Sequence, residues 1–60
     1  MPRNEILLEM QRIGNSVRVT AIDPASGTEV TFQVPASISQ ADMKQMAVNK
    51  LTYVLRKQKQ

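Results

Sequence analysis

Ile13-Gly14-Asn15-Ser16-Val17-Arg18-Val19-Thr20-Ala21-Ile22-Asp23-Pro24-Ala25-Ser26-Gly27-Thr28 carries two turn signals separated by one alternating run. Gly14-Asn15 suits a two-residue hairpin loop. Glycine at the first central position supplies the positive φ of a type II′ turn. In the second signal, Pro24 suits the first central position of a type I turn, and Gly27 can take a left-handed exit. Between them Val17, Val19 and Ala21 fall on one side of an extended chain.

Working outward, residues 5–13 alternate with Ile6, Leu8 and Met10 on one face, and residues 28–34 alternate with Val30, Phe32 and Val34. Pro35 is expected to stop the third strand. The turns fix the registers. A two-residue loop sets Met10 against Val19 and Leu8 against Ala21. A loop from Pro24 to Gly27 sets Ala21 against Val30, Val19 against Phe32 and Val17 against Val34. All three apolar rows then share one face, and a slip of one residue would destroy that agreement.

Residues 39–58 read as a helix. Ser39 is the N-cap and Asp42 stands at the capping-box position, while Ile38 and Met43 have the spacing of a hydrophobic staple. Met43, Ala47, Leu51 and Val54 form a stripe about 80° wide that should face the sheet. Met46 and Tyr53 lie on one flank; Val48 and Leu55 lie on the other. Lys50 falls inside the apolar arc and is expected to snorkel outward. The expectation is an α+β fold in a single domain, residues 1–60. A three-stranded antiparallel meander is followed by one C-terminal helix on one face, in the order β-β-β-α.

Composition narrows the function. Sixty residues without His or Cys lack the usual proton shuttle, thiol nucleophile and thiolate ligand. The carboxylates Glu5, Glu9, Asp23, Glu29 and Asp42 show no metal-binding spacing, and the serines have turn or cap positions. No enzyme activity, cofactor or metal is expected. The longest aliphatic run near the N-terminus, Ile6-Leu7-Leu8, is far short of a membrane span or a signal-peptide core. The expectation is a cytoplasmic protein without membrane association.

Two kinds of surface remain. The outer sheet face places Leu7 beside Ile22, and the helix flank offers Val48 and Leu55. These four are the candidate dimer or partner interface. Strand one is an edge that no proline interrupts, and small folds without disulfide or metal gain buried surface by oligomerising. A homodimer or another protein partner is therefore expected. The net charge of +3 is uneven. Residues 37–60 hold Lys44, Lys50, Arg56, Lys57 and Lys59 against Asp42 alone. Arg56, Lys57 and Lys59 at the helix end, or Arg18 on the sheet, are candidate nucleic-acid contacts; their other reading is complement to the helix dipole and solubility.

The stretch Arg12 to Val30, with Ala47-Val48-Asn49-Lys50-Leu51-Thr52-Tyr53-Val54-Leu55, resembles a family of short, about 60-residue, bacterial proteins of unknown function. The resemblance implies the fold and brings no activity. The strand-strand-strand-helix order also resembles the last four elements of double-stranded-RNA-binding domains. This sequence has no helical period ahead of strand one, and only Lys44 is positive at the start of its last helix.

Overall fold

The computed structural model describes residues 5–58 of the chain. Three strands, β1 (Leu7–Ile13), β2 (Ser16–Asp23) and β3 (Thr28–Pro35), precede one helix, α1 (Gln40–Gln58). The strands form one antiparallel sheet in the order β1-β2-β3. Both hairpin registers are those that the turn residues and the apolar alternation require. Leu8 faces Ala21 and Met10 faces Val19, while Val17 faces Val34, Val19 faces Phe32 and Ala21 faces Val30. Gly14 has φ 60° and Gly27 has φ 76°, and no other described residue has positive φ. Positive φ at Gly14 but not at Asn15 is the signature of the type II′ turn.

Hydrogen bonds settle which way each strand's amides point. The Ala36 N–H donates to the Asn15 carbonyl at 2.8 Å. Bonded pairs alternate along an antiparallel ladder. Val17, Val19, Ala21 and Asp23 therefore bond toward β3, and Ser16, Arg18, Thr20 and Ile22 toward β1. On β1 the bonded residues are Leu7, Glu9, Gln11 and Ile13. The amides and carbonyls of Leu8, Met10 and Arg12 are left facing the open edge.

The same alternation explains two departures from the sequence reading. Strand one begins at Leu7 instead of Glu5 because its next bonded pair would need an N–H from Pro24, which has none. The third strand does not stop at Val34 but runs through Pro35, opposite Ser16. Pro35 occupies a non-bonded position on an edge strand, so its ring nitrogen faces away from β2 and no ladder bond is lost.

The helix starts where its cap dictates. The Ser39 hydroxyl accepts the Asp42 N–H at 3.0 Å, which satisfies one orphan amide of the first turn. Asp42 adds no reciprocal bond among the described residues; its side chain is one methylene shorter than the Glu of a full capping box. Ile38 packs with the cluster of Val19, Val34 and Met43. A second cluster joins Ala21, Ala47 and Leu51, with Ile6, Leu8, Val30, Phe32 and Leu55 against it. Val19, Ala21, Ala47 and Leu51 are wholly enclosed. The two clusters form the layer between sheet and helix. Asp23 is also buried. It accepts the Ser26 hydroxyl at 2.8 Å. That hydroxyl also lies 2.9 Å from Thr28 Oγ1, and its single proton serves one neighbour at a time. Thr28 in turn donates to Gln58 Oε1 at 3.1 Å, which ties the second turn to the helix end.

Candidate functional site

The candidate contact surface of this fold is built around β1. The helix packs chiefly on β3 and β2, so the inner face of β1 is only partly roofed. Met10 lies on that inner face, as its parity with Leu8 requires, yet it is 54% exposed. On the outer face Leu7 is 52% and Ile13 43% exposed. Neither face of the strand is sealed, and its edge amides are open.

Apolar residues border this edge on both sides. On the outer face Leu7 stands opposite Ile22, the pairing read from the sequence. On the inner side, Ile6 lines a cleft of about 540 Å³ with Val48, Leu51 and Leu55, together with Asp23 and Ser26. The four residues singled out as a candidate interface, Leu7, Ile22, Val48 and Leu55, thus flank one edge from opposite layers. Alternation along the strand placed Met10 on the helix-facing side, which it occupies, and could not show that the roof stops short of it. The signal for Asp23 was present: it shares the parity of Val17, Val19 and Ala21.

The basic residues are not gathered. Arg18 is exposed on the outer sheet face, while Arg56 and Lys57 stand in the last turn of the helix, on the opposite layer. Lys57 Nζ lies 5.4 Å from the centroid of the Tyr53 ring, and Lys50 Nζ lies 5.5 Å from that of Phe32. Both distances suit cation–π contact. Lys50 is exposed, the outward reach expected of it. Lys59 lies outside the described residues. Among the described residues, Arg18 and the Arg56–Lys57 pair stand on opposite layers and do not form one continuous track.

Among the described residues, no group of three or more Asp or Glu side chains could hold a metal ion, and no helix is long and apolar enough to cross a membrane. The family model of a domain of unknown function, DUF6898, matches residues 3–59, and the chain belongs to that family. No curated protein matches the chain. No solved structure matches it either.

Proposed function

We propose that this DUF6898 domain is a non-enzymatic interaction module, and that β1 is the edge at which its partner adds a strand. The observation that carries this reading is the open edge itself. Among the described residues, the backbone groups of Leu8, Met10 and Arg12 have no ladder partner, and Leu7, Met10 and Ile13 stay about half exposed beside them. Strand addition of this kind draws affinity from main-chain hydrogen bonds and specificity from alternate side chains. Proteins usually blunt such an edge with charge, proline or cover. Here Glu9 and Arg12 supply some charge, but the apolar residues interleave with them.

Amide-shift mapping of the isotope-labelled chain tests the reading. The titrants are its own unlabelled copy, duplex DNA and fractionated cell extract. Shifts are expected to gather on Leu8, Met10 and Arg12, with smaller ones at Leu7 and Val48. Shifts gathered on Arg18, or on Arg56 and Lys57, with DNA alone would overturn it in favour of nucleic-acid binding. Such binding would also weaken steeply with salt.

A further inference from the structure

We infer that the occupant of this edge is a second copy of the chain, added antiparallel about a two-fold axis through Met10. The inference rests on the reading of β1 as a contact edge and adds the partner and the register. A two-fold axis normal to the sheet leaves few registers, because facing residues must share a side. With the axis at Met10, strand Leu7–Ile13 pairs with its copy end to end, about 23 Å of ladder at 3.3 Å per residue. Leu8 then faces Arg12 of the second copy, and Met10 faces Met10. These are the three residues whose backbone groups point outward, so every open amide finds a carbonyl.

The outer-face side chains agree with that register, while on the inner face Leu8 meets the aliphatic stem of Arg12. On the outer face Leu7 meets Ile13 of the second copy, which extends the Leu7–Ile22 pair into an apolar row across the junction. Glu9 meets Gln11 of the second copy, and Arg18 lies next in that row because it faces Gln11 within its own chain. Opposite charges of the two copies therefore share one row with only Gln11 between them. The neighbouring registers fail. An axis at Glu9 sets Glu9 against itself, and an axis at Arg12 sets Arg12 against itself; like charges directly opposite are unfavourable. An axis at Leu8 leaves only residues 7–9 of the strand paired, and an axis at Gln11 only residues 9–13, against all seven with the axis at Met10.

The helices allow the junction. Both would lie on the same side of the joined sheet. Each sits over β2 and β3, which places the two axes about 19 Å apart, four strand spacings. That exceeds the 8–10 Å of packed helices, so they do not collide.

Sedimentation equilibrium from about 10 to 500 µM, the range of weak association, is the first test. The mass is expected to rise from 6.7 kDa toward twice that value. A constant 6.7 kDa overturns the inference, and amide mapping with other partners then judges the edge reading separately. The register is tested with single cysteines, since the chain has none of its own. Met10→Cys places its sulfurs on facing residues whose Cα atoms are about 5.5 Å apart, within disulfide reach. Leu8→Cys leaves its own copy about four residues along, roughly 13 Å away. Met10→Cys is expected to cross-link at least tenfold faster than Leu8→Cys, and a mixture of Leu8→Cys with Arg12→Cys is expected to cross-link as a pair. Equal rates, or a faster Leu8→Cys, overturn the register.

Discussion

Truncating Leu51 to alanine tests the core on which every surface described above depends. Leu51 is 0% exposed and clusters with Ala21 and Ala47, themselves fully enclosed. Leucine-to-alanine changes in such sites cost about 2.7–5.0 kcal/mol, rising with the volume of the void left behind. The nearest fully buried neighbours are alanines without rotamers to swing into the gap. Leu8, Phe32 and Leu55 can relax only partly. We therefore expect a loss of about 3–4 kcal/mol. A domain of this length holds about 3–9 kcal/mol in all, from 0.05–0.15 kcal/mol per residue. The variant should accordingly lose between about a third and all of the domain's stability. The matched control is Val48→Ala on the exposed flank of the same helix. Val48 is 41% exposed, and alanine's better helix propensity, up to about 0.7 kcal/mol, offsets most of its lost burial. The expected gap between the two variants is about 3 kcal/mol. Urea titration followed by far-ultraviolet circular dichroism measures it, at one fixed protein concentration because the proposed self-association would shift apparent stability. If the two variants fell within about 1 kcal/mol of each other, the helix stripe assigned to the core would be wrong.

Three further outcomes follow from single contacts. Ser39→Ala removes the hydroxyl that accepts the Asp42 amide and should cost about 1 kcal/mol in the same assay, whereas Ser39→Asp should restore nearly all of it. Gly14→Ala meets nothing within 4 Å at the new methyl, so its penalty is that of the left-handed backbone alone, about 1–2 kcal/mol; a neutral result would contradict the type II′ turn. Ser26→Ala takes the hydroxyl donor from the buried Asp23 carboxylate and should cost about 1–3 kcal/mol, read as a lower urea midpoint; no change would mean that Asp23 is already served by solvent.

The sheet was legible because independent signals agreed. Gly14 and Gly27 demanded turns at fixed points, and the parity of Val17, Val19 and Ala21 allowed only one register across both hairpins. The helix was legible from its serine cap and from a stripe in which Met43, Ala47 and Leu51 are all buried. The candidate surface was legible only in part. Leu7 and Ile22 could be paired from the register, and Val48 and Leu55 from helical period. That all four border one strand depends on where the helix lies across the sheet, a tertiary choice that no local pattern encodes. Met10 takes the face and the partner read for it, but its exposure was not legible: period 2 assigns a face but not what covers it. Pro35 was misjudged for another reason. A proline ends a central strand, but on an edge its effect depends on whether its nitrogen points into the ladder or out of it.

The placement of Pro35 has a consequence for how far association can run. A sheet with two equivalent open edges can add copies without limit and grow into a fibre, the hazard of any exposed strand pair. Here the edges are unequal. The outward positions of β3 are Glu29, Thr31, Gln33 and Pro35; the last has no N–H to offer and the first carries a charge. A newcomer would find a shortened, partly charged template on that side, while β1 spends its own amides on one neighbour. In the proposed dimer, growth would stop when the first edge is filled, and the outcome would be a closed pair instead of a filament.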